Sequence, residues 1–203
     1  MPASASSSGG WRRPAFVALL AAATLGSPRA GAGEMALPVD QQVPLLLKVL
    51  TYDRNFEAKA GGELGIGIVH DPGDRESAAA TEQMVANLVR FADKTVKKLP
   101  LRYYTIEYTT PADLQSFVKA KGISLLYVAP GSSRNLSPIL KVAQSLRVTT
   151  ATGVPDYVRK GVAVGVGIAQ DRPQILINLA SSRAEGSDFD ASLLRIASIL
   201  GPR

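Results

Sequence analysis

The stretch GVAVGVGIAQDRPQILINLASSRAEGSDFDASLLRIASIL, residues 161–200, decides which fold the sequence predicts. Its glycines at positions 161, 165 and 167 precede an apolar run and raise the question of a nucleotide-binding loop. A dinucleotide fingerprint has the spacing G-x-G-x-x-G between a strand and a helix, because its glycines let the backbone approach a pyrophosphate. Here Gln170 occupies the place of the third glycine, and the glycines fall inside a β-prone run. The stretch therefore argues against a nucleotide-binding loop and indicates a pair of strands.

This pair of strands is predicted to form a β-hairpin. Residues 162–169 and 174–178 flank the polar tetrad 170–173, a pattern typical of two strands joined by a tight turn. Glycine inside such a strand more often marks close packing of a neighbouring backbone, or a bulge, than a ligand site. Residues 179–185 then predict a short helix that ends at Gly186.

A final helix is predicted beyond Gly186, with Asp188 or Asp190 as its N-cap. Its apolar side chains recur at helical spacing: Leu193, Leu194, Ala197 and Leu200. We expect this helix to dock on the sheet and close the core.

Upstream of the hairpin, β-prone runs alternate with amphipathic stretches. The predicted strands are residues 64–69, 101–108, 123–129 and 147–151, and the predicted helices are residues 40–60, 75–97, 111–121, 136–146 and 155–160. Asp40 is predicted to cap the first of these helices. Such alternation indicates an α/β three-layer sandwich, in which a mostly parallel sheet has helices on both faces. About six strands are expected in the sheet, including the C-terminal hairpin.

The N-terminal residues 1–32 have the layout of a secretory signal peptide. Arg12 and Arg13 precede an apolar run, and small residues up to Ala32 supply a cleavage site. The run is shorter than the roughly 20 residues that a membrane-spanning helix needs. We therefore expect residues 33–203 to be a single exported domain located in the periplasm, with cleavage near Ala32.

Charge and cysteine content narrow the function classes. Removing residues 1–32 lowers the basic count from 23 to 20 against 17 acidic residues, so the formal charge falls from +6 to +3. The remaining charges are interspersed, which argues against nucleic acid as a partner. The chain has no cysteine, which excludes disulfides, thiol chemistry and thiolate metal sites.

Several positions in the opening stretch carry a resemblance to a known family. They are Ile177-Asn178, Ala180, Ala184, Gly186, Leu193-Leu194 and Ala197, and upstream the segments LLLKVLTYDRNF, GIGIV, LLYVA and TATG follow in the same order. In these features the chain resembles the YfiR/HmsC-like family over essentially all of its predicted mature length.

The resemblance implies a periplasmic regulator that is not an enzyme. YfiR-type members bind the periplasmic sensing domain of an inner-membrane diguanylate cyclase and hold the cyclase inactive, which lowers cyclic di-GMP. The implied partner of this chain is thus the periplasmic domain of a diguanylate cyclase or of another membrane sensor such as a histidine kinase, and homodimer formation is a further expectation. YfiR-type members rely on disulfide cysteines, so redox control by those cysteines does not carry over to this chain.

Candidate ligand-binding residues come from the loops that follow the predicted strands, because ligands of open parallel sheets bind beyond the carboxyl ends of the strands. They are His70, Asp71, Gly131, Ser132, Ser133, Arg134, Thr152 and Gly153. The small residues and hydroxyls of residues 131–135, with the charge of Arg134, predict a site for a small anionic ligand. A serine cap beside a solvated arginine is the structural alternative.

The same loops suggest two further kinds of site, a hydrolase centre and a metal site. A hydrolase would have to use His70, the one histidine in the chain, with Ser132 or Ser133 as nucleophile, but the chain has no G-x-S-x-G elbow. A metal site from His70, Asp71 and Asp74 matches no dedicated motif. The favoured interpretation is that residues 70–73 form a turn and Asp74 caps a helix, with no metal, cofactor or catalytic residue.

Overall fold

The computed structural model describes residues 35–201, so the predicted signal peptide lies outside the described residues. The strands are β1 (Leu64–His70), β2 (Thr95–Val96), β3 (Leu99–Glu107), β4 (Ile123–Val128), β5 (Thr149–Thr152), β6 (Val164–Ala169), β7 (Arg172–Asn178) and β8 (Ser198–Leu200). The helices are α1 (Val39–Leu50), α2 (Phe56–Ala60), α3 (Arg75–Val89), α4 (Pro111–Ala120), α5 (Leu136–Leu146), α6 (Pro155–Arg159), α7 (Leu179–Ala184) and α8 (Ala191–Ile196), and one turn of 3-10 helix covers Ser132–Arg134. Among these helices, none has the length and apolar character needed to cross a membrane.

The strands form one sheet in the order β2-β3-β1-β4-β5-β6-β7-β8. The five central strands from β3 to β6 run parallel to one another. At one edge β2 is antiparallel to β3, and at the other β7 is antiparallel to β6 while β8 runs parallel to β7. The predicted mostly parallel sheet with a C-terminal hairpin is confirmed. Its eight strands exceed the predicted six because residues 95–96 and 198–200 form strands at the two edges.

Two helical layers cover the sheet, as predicted for a three-layer sandwich. On the first face, buried side chains of α1, α2, α3 and α8 pack against Leu64, Ile66 and Ile68 of β1. On the second face, α4, α5 and α6 pack against a separate set of strand residues that includes Val69 and Leu126. Alternate residues of the central strands therefore contribute to two different cores.

The predicted hairpin of the opening stretch is confirmed as β6 and β7. Its turn is shorter than the predicted tetrad: Gln170 and Asp171 both have positive φ, 49° and 57°, while Arg172 and Pro173 already belong to β7. Two central residues with positive φ are characteristic of the hairpin turn whose twist matches that of the flanking strands. A Cβ on Gly165 would collide with Cγ2 of Val158, so this glycine marks close packing of α6 on the sheet.

The first predicted helix, residues 40–60, is wrong as one element because it is broken into α1 and α2. The carboxylate of Asp53 is fully buried in the break and accepts hydrogen bonds from the amides of Asn55 and Asp188, at 3.0 and 2.9 Å. This long-range contact bends the chain where the local spacing favours a continuous helix. The predicted cap is also wrong, since Pro38 occupies the N-cap and Asp40 lies in the first turn.

Two other predicted helices extend too far. The helix predicted over residues 75–97 ends at Val89, and residues 95–96 instead pair with β3 through a turn at Lys97 and Lys98. The final helix ends at Ile196, and residues 198–200 form β8. Both departures have the same cause, because an unpaired strand edge offers backbone hydrogen bonds that helical spacing does not reveal. Of the two predicted caps of α8, Asp190 accepts the Ser192 amide at 2.8 Å.

Candidate functional site

The order of the parallel strands places a crevice at one point of the sheet. From β1 the chain passes to β3 on one side and then returns to β4 on the other. The chain leaves β1 towards α3 on the first face of the sheet and leaves β4 towards α5 on the second face. The loops that follow β1 and β4 therefore lead to opposite faces, and a crevice forms beyond the ends of these strands. These loops, residues 71–74 and 129–135, contain most of the predicted ligand-binding residues.

The loop after β1 is shaped by its own acidic side chains. Oδ1 of Asp71 accepts the Gly73 amide at 2.9 Å, and Oδ1 of Asp74 accepts the Ser77 amide at 2.8 Å as the N-cap of α3. The structure thus contains both the turn and the helix cap that the sequence indicates. Each carboxylate uses one oxygen for these backbone bonds.

The loop after β4 lies against the first one. Gly131 has a φ of 78°, and a Cβ on it would collide with the carboxylate of Asp74. Nδ2 of Asn135 lies 3.4 Å from Oδ2 of Asp71 and joins the two loops. Glycine is therefore required at position 131 both for the backbone angle and for the close approach of Asp74.

A cavity of about 470 Å³ lies between these loops and α6. Its lining residues are Asp71, Gly73, Asp74, Glu76, Gly131, Ser133, Arg134 and Tyr157. Three of them carry carboxylates and one carries a guanidinium. None of the ion pairs within residues 35–201 involves these four charged groups.

Tyr157 is a residue of the cavity that sequence reasoning missed. The side chain is fully buried, and its hydroxyl has no hydrogen-bond partner among the described residues. Burial raises the pKa of the Tyr157 phenol, and the nearby carboxylates of Glu76 and Asp74 add to the rise. The sequence signal that could have identified Tyr157 as a site residue is its position in α6, which follows the carboxyl end of β5.

The predicted site residues divide into three groups. Asp71, Gly131, Ser133 and Arg134 line the cavity. His70 is the last residue of β1 and Ser132 lies in the loop after β4, and neither Nδ1 of His70 nor the buried Oγ of Ser132 has a partner among residues 35–201. Their part in ligand binding stays a prediction.

Thr152 and Gly153 form the third group, which does not line the cavity. The Thr152 hydroxyl donates to the Val128 carbonyl at 2.9 Å and accepts the Val154 amide at 3.1 Å. A Cβ on Gly153 would collide with the side-chain amide of Gln42. Thr152 therefore joins β5 to the end of β4, and Gly153 lies against the side chain of Gln42 in α1.

In the described part of the chain, the residues of the hydrolase alternative and of the metal-site alternative are not assembled into a site. Within residues 35–201 the His70 imidazole makes no hydrogen bond to a serine or a carboxylate, and Nδ1 has no partner at all. The same residues include no cluster of three or more histidine and acidic side chains able to hold a metal ion.

A second group of buried charges, which sequence reasoning also missed, lies at the opposite end of the sheet. The carboxylate of Glu185 is fully buried and accepts hydrogen bonds from the amide and the hydroxyl of Thr150, each at 2.7 Å. Burial raises the pKa of Glu185 to about 8, against the lowering effects of the Thr150 hydrogen bonds and of Lys59. This group ties the loop after α7 to β5.

Lys59 completes this group of buried charges. Its ammonium donates to Oγ of Ser187 at 2.7 Å, contacts the hydroxyl of Thr149, and lies 3.5 Å from Oδ2 of Asp53. Burial lowers the pKa of Lys59, and the attraction of Asp53 opposes that change. The arrangement stabilises the end of the sheet where β5 begins, which is opposite to the crevice.

Comparison with known proteins gives the family. The model of the YfiR/HmsC-like family matches residues 49–198, about three quarters of the chain. The chain belongs to the YfiR/HmsC-like family. The predicted resemblance is thereby confirmed, and the matched range of this YfiR/HmsC-like protein includes both loops of the crevice. A search of curated proteins finds no match.

Solved structures share the fold of this YfiR/HmsC-like protein at low sequence identity. They include an ABC domain in complex with L-Trp from Streptococcus pneumonia (14% identity, TM-score 0.54) and a conserved domain protein from Vibrio cholerae (15%, 0.55). A third is the ligand-free, open form of a substrate binding protein with adhesive properties from Clostridium difficile (16%, 0.52). These matches cover 80%, 80% and 82% of this chain and only 60%, 60% and 61% of the other chains. They establish the fold alone.

Proposed function

We propose that this protein is an exported regulator that modulates a membrane-bound signalling protein by contacting its periplasmic domain. The signalling protein is a diguanylate cyclase or another sensor such as a histidine kinase. The observation that carries this proposal is membership of the YfiR/HmsC-like family over residues 49–198. The signal-peptide pattern of residues 1–32 supports export to the periplasm.

A non-enzymatic role is part of the proposal. It is supported by the lack of any hydrogen bond from His70 to a serine or carboxylate within residues 35–201. A hydrolase built on His70 and Ser132 or Ser133 is the competing idea. Hydrolytic activity that disappears on His70→Ala, in a protein that stays folded, would favour the enzyme over the regulator.

The C-terminal edge of the sheet offers a surface for protein contact. Four large apolar side chains are exposed in the described part of the chain, and two of them lie at this edge: Ile196 ends α8, and Ile199 belongs to the edge strand β8. Ile199 pairs with Ile177, whose side chain belongs to the core on the first face, so Ile199 projects on that face beyond the covering helices. Edge strands with exposed apolar residues are suited to pairing with another chain.

Crosslinking in the native host tests the proposal. A photoreactive amino acid replaces Ile199 in the exported full chain, and the matched control carries it at Glu82, on the exposed side of α3. We expect the Ile199 position to yield an adduct with a membrane signalling protein, identified by mass spectrometry, and the Glu82 position to yield none. Deletion of the gene should change cyclic di-GMP or sensor-kinase output.

Three outcomes would each contradict one part of this proposal: the contact surface, the regulatory role or the export. Adducts that contain only a second copy of the chain would show that this edge is a homodimer interface. Unchanged signalling outputs in the deletion strain would remove the regulatory role. Recovery of the protein in the cytoplasmic fraction would contradict export.

A second candidate function is a periplasmic small-molecule receptor. It is favoured by the cavity at the crevice, where the buried hydroxyl of Tyr157 has no partner among the described residues. A buried polar group without a partner is rare, and a bound ligand would satisfy it. Native mass spectrometry of the purified full chain is expected to show a co-purified small molecule that Tyr157→Phe reduces. The two functions are compatible if the ligand controls the contact with the sensor.

A further inference from the structure

The residues that line the crevice cavity carry a net negative charge. The carboxylates of Asp71, Asp74 and Glu76 and the guanidinium of Arg134 give the lining a formal charge of −2. The N-terminus of α3 contributes only about half a positive charge. The lining as a whole therefore attracts cations more than the small anion that residues 131–135 suggest by themselves.

The spacing of these carboxylates does not suit a single metal ion. Within residues 35–201 no three acidic or histidine side chains come close enough together to hold one. The three carboxylates come from the loop after β1, the N-cap of α3 and the first turn of α3, at sequence positions 71, 74 and 76. Separated negative charges favour a ligand that carries separated positive charges.

Tyr157 supplies independent evidence for a ligand in this cavity. Tyr157 lines the cavity, and its hydroxyl lies near Ser133, Asp74 and Glu76. The side chain is fully buried, yet the hydroxyl has no hydrogen-bond partner within the described residues. An amino group in the cavity would give this hydroxyl a donor, and the cavity volume of about 470 Å³ lies in the range of small-molecule sites.

We propose that the crevice cavity binds a small organic cation carrying at least two amino groups, the chemistry of a linear polyamine. Its ammonium groups pair with the carboxylates of Asp71, Asp74 and Glu76, and one of them donates to the Tyr157 hydroxyl. Arg134 is an exposed residue of the lining, and its guanidinium reduces the negative charge only in part. The inference rests on the receptor function proposed above and specifies its ligand class.

Calorimetric titration of the purified full chain tests the inference, with putrescine and spermidine as cationic probes and phosphate and citrate as anionic probes. We expect one cation per chain, tighter binding of spermidine than of putrescine, and weaker binding as salt is raised. Glu76→Gln should weaken spermidine binding roughly fivefold. Glu82→Gln is the matched control, because it removes an equal charge from the exposed side of the same helix.

Tyr157→Phe separates a ligand contact from a structural role. Because the hydroxyl has no partner within the described residues, its loss should leave the melting temperature unchanged or raised. The same substitution should weaken spermidine binding roughly fivefold. A lowered melting temperature with unchanged affinity would overturn the assignment of Tyr157 to the ligand.

The outcomes distinguish the ligand class from the receptor function. Binding of citrate or phosphate without binding of either amine would overturn the cation inference and leave the receptor function standing. Absence of binding by all four probes, together with no co-purified ligand, would overturn both. Equal losses in Glu76→Gln and Glu82→Gln would show that spermidine is attracted by general surface charge, which also overturns the inference.

Discussion

Glu185 shows how one residue departs from its expected chemistry. Sequence alone presents it as an ordinary acidic residue near the end of a short helix. In the fold its carboxylate is fully buried against Thr150, and burial raises its pKa to about 8 from an ordinary value of 4.5. Protons that the folded state holds and the unfolded state releases make stability depend on pH.

The sign of this dependence follows from the direction of the shift. Since the folded pKa of Glu185 is raised, its contribution to stability is present below pH 4.5 and is lost as pH rises through about 8. The free energy of unfolding should therefore fall by at most about 1.4 kcal/mol per pH unit from this group. Glu185→Gln should flatten the profile between pH 4.5 and 8 and be the more stable protein above pH 8. Urea unfolding at pH 5, 7 and 8.5 measures this, and parallel profiles for the two proteins would contradict it.

At the scale of elements, Gly165 of β6 is a position where a helix packs closely against the sheet. Val158 of α6 is fully buried and occupies the space that a Cβ on Gly165 would need. The β-branched side chain of Val158 has few alternative rotamers with which to yield. The contact between α6 and the sheet therefore depends on the absence of a side chain at position 165.

Gly165→Ala should accordingly destabilise the protein. Overpacking at a filled site costs about 1–3 kcal/mol, which urea unfolding at constant pH would detect. Gly62→Ala is the matched control, because no atom lies within 4 Å of the Cβ position there, and we expect it to leave stability unchanged or slightly raised. Equal stability of the two variants would show that β6 and α6 are not in close contact.

The patterns of the elements explain which parts of the fold were predictable. Strands β1 and β4 are short, continuously buried runs, and helices α4 and α5 have buried residues at helical spacing, so their existence is readable from sequence. Strands β2 and β8 have two and three residues and exist because they pair with an available strand edge. Short edge strands carry too few residues for a periodic signal.

At the scale of the whole molecule, a contact across 135 residues joins the two ends of the domain. Oδ1 of Asp53 accepts the Asp188 amide at 2.9 Å, and the amide of Arg54 donates to the Asp188 carbonyl at 2.9 Å. Asp53 is also the acidic partner of the buried Lys59. One buried carboxylate thus contacts the break after α1, the ammonium of Lys59 and the segment before α8.

Asp53→Ala should therefore destabilise the whole domain. Removing one partner of a buried ion pair leaves the other uncompensated and costs about 3–5 kcal/mol. Arg54→Ala is the control, since its ion pairs with Asp188 and Asp190 are exposed and should contribute little. Chemical unfolding of both variants measures the difference, and a loss for Arg54→Ala as large as that for Asp53→Ala would contradict this assignment.

Sequence by itself determined the fold class, the hairpin of the opening stretch and the family resemblance. These features depend on hydrophobic periodicity, turn chemistry and the succession of elements along the chain, all of which are visible in the sequence. Only the tertiary structure decided the break at Asp53, the edge strands, the buried pair of Asp53 and Lys59, and the place of Tyr157 in the cavity. It also decided the charge of that cavity, because Asp71 and Glu76 meet Ser133 and Tyr157 only when α3 and α6 reach the same end of the sheet. Burial and charge arise from such long-range neighbours, and no spacing along the chain encodes them.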